Sequence, residues 1–303
     1  MTIILQKDKL NIMRNFIYIK YLKQIQTLNL TQKSKKYYII FNRLKKGNII
    51  GEGNFGKVYQ SLYTDNGHMY AIKELNLEIL RLKLENLDSE IKLEIELLSK
   101  MNHKNIVKYY GYYKDNNKLN IVLEYCTKGS LLNLLKDFKH FDENMIKRYI
   151  SQILDGLEYL HANNIIHRDI KCANILIGEG GVCKLSDFGE AKLIKKERNP
   201  NSSIHGTANW MAPEIIKSST ETRFSDIWSI GCTIIEMFQG KPPYSDKKDT
   251  LSIFNSIIKN NEPPEIPEEM SDLLKDFVQK CLFFEPSKRY NVYELKRHPF
   301  LKE

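Results

Sequence analysis

The stretch Gly51-Glu52-Gly53-Asn54-Phe55-Gly56-Lys57-Val58 constrains the fold of this chain more than any other feature of its sequence. Its three glycines, Gly51, Gly53 and Gly56, let the backbone approach a phosphate where a Cβ would obstruct it. The same spacing also suits a dinucleotide-binding loop or a simple tight hairpin. The flanking residues are therefore needed to choose among these interpretations.

The residues that follow the glycines favour a hairpin that covers a triphosphate, and they disfavour a dinucleotide-binding loop. A dinucleotide-binding loop opens a helix and is followed by an acidic residue about 20 positions later. Here the glycines run into Val58-Tyr59, which is typical of a returning strand, and Lys73 stands near that distance, in the strand-like run Met69–Leu75. A lysine on a neighbouring strand suits triphosphate oxygens and does not suit a ribose hydroxyl.

A lysine in a partly buried cleft needs a counter-charge, because an unpaired buried charge is costly. The segment 84–101 has helical periodicity and offers Glu90, Glu94 and Glu96. At about 100° per residue, Glu94 falls within the apolar arc of this helix, Glu96 faces away and Glu90 lies at the edge. We therefore predict that Glu94 pairs with Lys73, with Glu90 as the second choice.

Strand patterns dominate the first part of the chain and helical patterns the rest. Lys118–Glu124 ends the strand-rich section, and the stretches after it favour helices. These helical stretches are Leu131–Phe138, Asn144–Ala162, Ser225–Gln239, Leu251–Ile258 and Met270–Phe283. Strands followed by helices predict an α+β fold with a small sheet lobe and a larger helical lobe.

Two further segments carry side chains that suit a metal and a phosphoryl group. The run His167-Arg168-Asp169-Ile170-Lys171-Cys172-Ala173-Asn174 follows a helix, and Lys184-Leu185-Ser186-Asp187-Phe188-Gly189 follows a Gly-rich turn. Asp169, Asn174 and Asp187 can converge on one site, and hard oxygen ligands of this kind suit Mg²⁺. Any one of them alone could be an ordinary turn or capping residue, so the prediction depends on the ordered set.

That ordered set resembles the eukaryotic protein kinases. The glycine loop, the strand lysine, H-R-D-x-K-x-x-N, D-F-G and A-P-E occur here in the order of that family. The resemblance spans about residues 44–300, and it implies a bilobal α+β fold. The N-lobe, about 44–124, would hold a small antiparallel sheet and one long helix. A hinge at about 124–128 would join it to a mainly helical C-lobe at about 129–300.

The resemblance implies a set of nucleotide-binding residues. The three glycines would cover the ATP phosphates, while Lys73 would hold the α- and β-phosphates and pair with Glu94. The remaining ATP-binding residues would form the pocket walls and the hinge contacts. They are Ile50, Val58, Ala71, Leu123, Glu124, Cys126 and Leu176.

The resemblance also implies the roles of the catalytic residues. Asp169 would accept the proton of the substrate hydroxyl, and Lys171 would neutralise the phosphoryl group as it transfers. Asn174 and Asp187 would hold Mg²⁺. The alternative interpretation is a nucleotide-binding pseudokinase or scaffold that acts by docking. That interpretation would require the replacement of Lys73, Asp169 or Asp187 by another residue type.

Three segments resemble particular branches of the family. Lys171, two residues after Asp169, resembles the serine/threonine kinases, and the segments 206–214 and 105–111 resemble MAP kinase kinase kinases. This branch implies a protein substrate, such as a downstream MAP kinase kinase. Ser130 and Ala173 stand where arginine-directed kinases commonly have acidic residues, so an Arg-rich substrate is not predicted.

Arg168 is a cation that needs a neutralising partner, and in the family a phosphate on the activation segment supplies it. The candidates in this sequence are Ser202, Ser203 and Thr207. We predict that Thr207 positions Asp169 and Lys171 through its hydroxyl, and that phosphorylated Ser203 or Ser202 pairs with Arg168. The alternative is an unregulated polar loop.

Several other residues are predicted to be structural. Asp226 and Trp228 would brace the catalytic loop from a helix, and Arg289 would form a salt bridge with Glu214. An apolar spine would stack four side chains, which are Leu98, Tyr109, His167 and Phe188.

The positive charge is concentrated at the N-terminus. Residues 1–50 hold eleven Lys or Arg and one acidic residue, Asp8, whereas the whole chain carries +9. We predict that residues 1–43 are a poorly ordered or loosely helical extension. It could contact an anionic membrane, RNA or an acidic partner, or act as an organelle transit peptide. No specific nucleic acid is predicted.

The five cysteines have no C-x-x-C spacing, which disfavours a disulfide framework or a zinc site and fits a reducing compartment. Uninterrupted apolar stretches are shorter than the ~18 residues that a membrane helix needs. We therefore expect a cytoplasmic protein.

Overall fold

The computed structural model describes residues 41–53, 56–78, 95–188, 192–193 and 207–302. Phe41–Arg43 form a short 3-10 turn that leads into the first strand. In the described residues, strands come first and long helices later, as the sequence patterns predict. The α+β prediction is confirmed.

The first lobe is built on a five-stranded antiparallel sheet with the order β1-β2-β3-β5-β4. Its strands are β1 (Leu44–Gly53), β2 (Gly56–Tyr63), β3 (Met69–Asn76), β4 (Tyr109–Asp115) and β5 (Lys118–Glu124). Strand β4 has no counterpart among the predicted strands, since its run Tyr-Tyr-Gly-Tyr-Tyr shows no alternation of apolar and polar residues. As an edge strand it depends on β5 for its pairing.

The register of this sheet places predicted pocket residues on one face. Val58 of β2 lies opposite Lys73 of β3, and Ala71 of β3 lies opposite Leu123 of β5. Directly opposed residues point to the same side of a sheet, and so do residues two apart along one strand. Val58, Ala71, Lys73 and Leu123 therefore share one face.

The second lobe is mainly helical. Its helices are α1 (Leu131–Phe138), α2 (Glu143–Ala162), α3 (Pro213–Ser218), α4 (Arg223–Gln239), α5 (Thr250–Ile258), α6 (Asp272–Cys281), α7 (Val292–Leu295) and α8 (Pro299–Lys302). The longer helices start where the sequence supplies a capping oxygen: the side chains of Ser130, Asp142 and Ser271 each accept a backbone N–H of the first turn.

Helix α4 forms the centre of this lobe. Thirteen of its residues, from Ser225 to Met237, are buried, so it is a core helix that is enclosed on all sides. Its buried polar side chains need partners, and these partners lie in the loops of the candidate site.

Short strands carry the loops of the site. Ile165–Ile166 (β6) pairs with Lys192–Leu193 (β9), and Ile175–Ile177 (β7) pairs with Cys183–Leu185 (β8). The catalytic motif lies between β6 and β7, and the D-F-G motif follows β8. The catalytic motif therefore leads into β7, and the D-F-G motif leaves β8, the strand paired with β7.

The segment Asn105–Val107 joins the two lobes by main-chain hydrogen bonds. The Leu185 N–H donates to the Asn105 carbonyl, and the Val107 N–H donates to the Leu185 carbonyl, both at 2.9 Å. The Asn105 amide donates to the Cys183 carbonyl, also at 2.9 Å. A Cβ on Gly156 of α2 would stand 2.8 Å from the Asn105 carbonyl oxygen, so only glycine lets the helix pack this closely.

The predicted helix over 84–101 lies partly outside the described residues; residues 95–100 are helical. All five cysteines are free and buried. In the part of the chain that the structure describes, none of the helices has the length and apolar character needed to cross a bilayer.

Candidate active site

Lys73 and Asp187 bring the two lobes together. The Lys73 ammonium on β3 lies 3.0 Å from Oδ1 of Asp187, which follows β8. The lysine is 22% exposed and the aspartate 52% exposed, so the pair stands at the wall of an open cleft. The predicted partner Glu94 lies outside the described residues. The structure therefore brings together two of the predicted phosphate- and metal-binding residues.

The face shared by Val58, Ala71 and Leu123 forms one wall of the cleft above the hinge. Ala71 is buried, and the other two are half-buried. Leu176, on β7, belongs to the helical lobe and bridges to Ser130, the residue that caps α1. The predicted pocket residues thus come from both lobes, on either side of the hinge.

The hinge is tied to the neighbouring strand. The Glu124 N–H donates to the Lys108 carbonyl at 2.8 Å, and the Glu124 carboxylate lies 3.1 Å from the Lys184 ammonium. Burial raises the pKa of the Cys126 thiol to about 12, so this cysteine is protonated at neutral pH. It is therefore a packing residue and not a reactive thiol.

The three glycines lie where β1 ends and β2 begins, with Gly51 and Gly53 in β1 and Gly56 in β2. Gly53 pairs with Gly56, whereas residues 54–55 lie outside the described residues. A Cβ on Gly56 would stand 1.8 Å from the Glu74 carbonyl oxygen, so packing against β3 alone requires glycine there. Ile50, on β1, is half exposed.

Three side chains surround the Asp169 carboxylate. Its Oδ1 accepts a hydrogen bond from the Thr207 hydroxyl at 2.8 Å. Its Oδ2 lies 2.7 Å from both the Lys171 ammonium and the Asn174 amide nitrogen. Lys171 also donates to the Thr207 hydroxyl. The predicted contact of Thr207 with Asp169 is therefore confirmed.

These bonds leave one acceptor position on Asp169. An ionised carboxylate has about four lone-pair sites, and Thr207, Lys171 and Asn174 use three of them. One site is left for a hydroxyl from outside the protein. The carboxylate is only 12% exposed, which strengthens its hydrogen bonds and limits competition from water.

Asn174 and Asp187 fit a divalent cation by the chemistry of their donor atoms. The Asn174 amide nitrogen donates to both the backbone carbonyl and the carboxylate of Asp169, so its amide oxygen is the atom left to ligate a cation. The Ser186 N–H and hydroxyl both donate to the Asn174 carbonyl at 2.9 Å. Ser186, which directly precedes Asp187, is therefore hydrogen-bonded to Asn174.

Asp226 of α4 anchors the backbone of the catalytic loop. It is fully buried and accepts hydrogen bonds from the N–H groups of His167 and Arg168, at 2.9 and 2.8 Å. It also contacts Nε2 of His161 at 2.8 Å. Arg168 and Asp187 have φ values of 75° and 58°, which side-chain-bearing residues rarely adopt. The predicted bracing role of Asp226 is confirmed.

Glu236 is an anchor that the motif analysis missed. It is buried on α4 and accepts hydrogen bonds from the Cys172 N–H and the Trp210 indole, each at 3.0 Å. Burial raises the pKa of the Glu236 carboxyl, although the bonds from Cys172 and Trp210 oppose this effect. A carboxylate inside an apolar helical run was the available sequence signal.

One further structural prediction is confirmed, one is shown in part and one is open. The Arg289 guanidinium, fully buried, forms two 2.8 Å hydrogen bonds to the Glu214 carboxylate. The rings of His167 and Phe188 lie with their centroids 5.2 Å apart and their planes tilted by 57°, which is one contact of the predicted four-residue spine. Ser202 and Ser203 lie outside the described residues, so their phosphorylation stays a prediction.

The predicted motif residues thus lie between two lobes, and comparison with known proteins identifies the family. Residues 44–301 match the protein kinase domain family. The chain is therefore a member of the protein kinase family. This establishes the class predicted from the ordered motifs.

Individual relatives indicate the branch. The chain is 43% identical over 259 residues, 85% of its length, to mitogen-activated protein kinase kinase kinase A of Dictyostelium discoideum. It is 42% identical over 264 residues, 86% of its length, to mitogen-activated protein kinase kinase kinase 3 of Arabidopsis thaliana. It is 44% identical over 255 residues, 84% of this chain, to cytokinesis protein sepH of Aspergillus terreus. The resemblance to MAP kinase kinase kinases is confirmed.

The matched region is only part of each relative. The alignments cover 28%, 41% and 18% of the lengths of these three proteins, respectively. The likeness therefore concerns a kinase domain.

Proposed function

We propose that this chain transfers the γ-phosphoryl group of ATP to serine or threonine hydroxyls of protein substrates. The observation that carries the proposal is the Asp169 carboxylate, held by Thr207, Lys171 and Asn174 with one acceptor site left over. Family membership supports the reaction class. Lys171 supports serine/threonine specificity, because a lysine two residues after Asp169 resembles that branch.

The nucleotide would lie in the cleft between the lobes. Its adenine would pack between Val58 and Ala71 on one side and Leu176 on the other, with Leu123 at the back. Hinge backbone at 124–126 would bind the adenine edge. The glycines and Ile50 would cover the sugar and phosphates, and the ammonium of Lys73 would neutralise phosphate oxygens, as it now neutralises Asp187.

Asn174 and Asp187 would hold the metal ion, which we propose is Mg²⁺, since one amide oxygen and one carboxylate are hard ligands. When bound, Mg²⁺ neutralises phosphate charge and orients the β- and γ-phosphates. The protein residues supply the rest of the site. Lys73 positions the phosphates, and Asn174 fixes Asp169 through its amide nitrogen.

The transfer step needs positioning more than covalent chemistry. The substrate hydroxyl donates to the free acceptor site of Asp169, and its oxygen attacks the γ-phosphorus. The bond between that phosphorus and the β,γ-bridging oxygen breaks, and ADP leaves. The hydroxyl proton passes to Asp169. Lys171, 2.7 Å from the same carboxylate, neutralises the phosphoryl oxygens during the transfer.

We infer that the substrate is a MAP kinase kinase, by analogy with relatives named MAP kinase kinase kinases. Another relative is named for cytokinesis, so a substrate screen must include both kinds of protein. The proposal has three further parts. The protein is cytoplasmic, and it is phosphorylated at Ser202 or Ser203. Its basic N-terminal extension contacts an anionic membrane or an acidic partner.

The test is phosphorylation of a peptide library and of purified MAP kinase kinases by the full chain. We expect incorporation at serine or threonine, no preference for arginine-rich peptides, and loss of activity in Lys73→Met and Asp187→Ala. Nucleotide binding without transfer in the wild-type protein would support the pseudokinase alternative and would overturn the proposal.

A further inference from the structure

A buried polar cluster lies on the outer face of the sheet, the face opposite the one that Lys73 shares with the cleft. Glu74 follows Lys73 on β3, and adjacent residues of a strand point to opposite faces. Asn120 of β5 lies directly opposite Glu74. Asn120 is fully buried and Glu74 is 9% exposed, so both side chains need hydrogen-bond partners within the protein.

Lys46 of β1 supplies a partner to both of them. Its ammonium contacts the Glu74 carboxylate and donates to Oδ1 of Asn120 at 2.6 Å. In the sheet order, β2 separates β1 from β3, and both β2 and β3 separate it from β5. This one side chain therefore reaches across the outer face and fastens β1 to two strands that are not its neighbours.

The fastening lies just before β1 bends. Lys46 pairs in register with Ser61 of β2, whereas the register shifts between Lys46 and Ile49 and again between Ile49 and Gly51. Such irregularities bend a strand and increase its twist. Gly51 and Gly53 follow at the end of the strand. The contacts of Lys46 fix the start of the bend, so they set the direction in which these glycines leave the sheet.

The other side of the glycine turn meets the same residue of β3. A Cβ on Gly56 would stand 1.8 Å from the carbonyl oxygen of Glu74, so the backbone of β2 packs directly on Glu74. This residue therefore receives both strands of the hairpin, β1 through its side chain and β2 through its backbone. Lys73, which directly precedes Glu74, carries the ammonium that faces the cleft.

We propose that Lys46 is a positioning residue for nucleotide binding, which holds the glycine turn in place over Lys73 by tying β1 to β3 and β5. The inference rests on the proposed function, because the ligand is the ATP whose phosphates the turn covers. Lys46 lies on the outer face and does not touch the nucleotide. Its effect is confined to the phosphates, since the adenine is bound by the pocket walls and the hinge.

The first test compares the binding of ATP and of adenosine to the full chain by titration calorimetry. Lys46→Met should weaken ATP binding by about 3- to 10-fold, the order expected when one member of a hydrogen-bond network is removed. Adenosine binding should stay unchanged, because adenosine has no phosphates for the turn to cover. Equal weakening for both ligands, or unchanged binding of ATP, would overturn the proposal.

Lys118→Met is the matched control. The Lys118 ammonium also contacts the Glu74 carboxylate, at 2.8 Å, but Lys118 belongs to β5 and leaves β1 in place. Both variants thus remove one ammonium from the same carboxylate and keep the other. Lys118→Met should bind ATP as the wild type does, and so should Lys45→Met, at the exposed neighbouring position on β1. An equal loss in Lys46→Met and Lys118→Met would mean that charge at Glu74 determines the affinity, and the proposal would be wrong.

Steady-state kinetics give a second measurement. Lys46→Met should raise KM for ATP and leave kcat unchanged, because a contact that serves only binding affects KM alone. Lys46→Arg keeps a cationic donor at this position and should recover most of the affinity. A fall in kcat with an unchanged KM would contradict the assigned role. Should Lys46→Met not fold, Lys46→Gln, whose side chain is shorter and uncharged, takes its place in every assay.

The third measurement needs no nucleotide. Hydrogen–deuterium exchange of a peptide that spans 47–53 should be faster in Lys46→Met than in the wild type and unchanged in Lys118→Met, because only Lys46 holds β1. Unchanged exchange in Lys46→Met would refute the positioning role. A wild-type protein that binds ATP but transfers no phosphoryl group would refute the proposed function, and the binding and exchange results would still decide the role of Lys46.

Discussion

The two sides of the cleft are held in place by different kinds of interaction. On the nucleotide side, Lys73 is positioned by strand register, because β3 is paired on both edges. On the catalytic side, Asp169 lies in a loop without a regular ladder, and two buried carboxylates of the single helix α4 hold that loop. The sheet therefore tolerates surface substitutions, whereas the loop depends on a few individual carboxylates.

The largest effect should come from Asp169→Asn on the catalytic side. The amide oxygen cannot take the hydroxyl proton, so kcat should fall by about 10²- to 10⁴-fold. ATP turnover with a protein substrate measures this change. Asp137→Asn, an exposed aspartate on α1, is the matched control. A loss smaller than tenfold would mean that Asp169 does not act as the proton acceptor.

Arg289→Met should test how far the catalytic lobe depends on buried pairs. It leaves the Glu214 carboxylate buried without its guanidinium partner, at a cost of about 3–5 kcal/mol in the free energy of unfolding. Urea denaturation measures this quantity. Arg297→Met, at an exposed position, should cost less than about 1 kcal/mol. Equal losses in the two variants would contradict the special role of burial.

Lys73→Met tests the nucleotide side. The loss of one charge aimed at the phosphates should lower ATP turnover by about 10²- to 10³-fold. Unfolding should change little, since strand pairing and not the ammonium holds β3 in place. Lys114→Met, on the outer strand β4, serves as the control in both assays. A large drop in the stability of Lys73→Met with normal ATP turnover would contradict this prediction, because it would mean that the ammonium stabilises the fold and not the phosphates.

The smallest effect should come from Glu74→Gln, on the same strand as Lys73. Burial alone would raise the pKa of Glu74, but hydrogen bonds from Lys118 and Lys46 lower it below its usual value. A carboxyl with a lowered folded-state pKa stabilises the protein above its unfolded pKa of about 4.3, and this stability is lost as the pH falls through the folded-state value.

The stability difference between wild type and Glu74→Gln should therefore be about 1 kcal/mol at pH 7 and should shrink below about pH 4. Urea denaturation across this range measures it. Glu52→Gln, an exposed partner of Lys57, is the control and should show almost no difference. A gap between wild type and Glu74→Gln that widens in acid would contradict the assigned direction.

Local patterns predicted much of the fold. Lys118–Glu124 and Leu131–Phe138 match their predicted bounds, and the other long helices begin and end within a few residues of theirs. The motif residues were identifiable because each motif is contiguous in the sequence. Strand β4 was missed because its tyrosines are stabilised by pairing with β5 rather than by a local pattern.

The anchors of the catalytic loop could not be paired from the sequence. Glu221, whose carboxylate contacts the Arg168 guanidinium, is 53 residues away from it in the sequence, and Glu236 is 64 residues away from Cys172. Nothing local links a carboxylate to a group so distant, because the contact exists only once α4 is buried beneath the loop. The sequence shows only that a buried charge must have a partner, and it does not show which residue that partner is.

The hydrogen bonds of Asn105–Val107 have a mechanical consequence. This segment leads into β4 of the sheet, yet its backbone is fastened on both sides of Leu185 in the helical lobe. Gly156 keeps α2 pressed against the same point. A rotation of the sheet toward or away from the helices must therefore pivot here, and the cleft can widen at its mouth while its deep end stays closed.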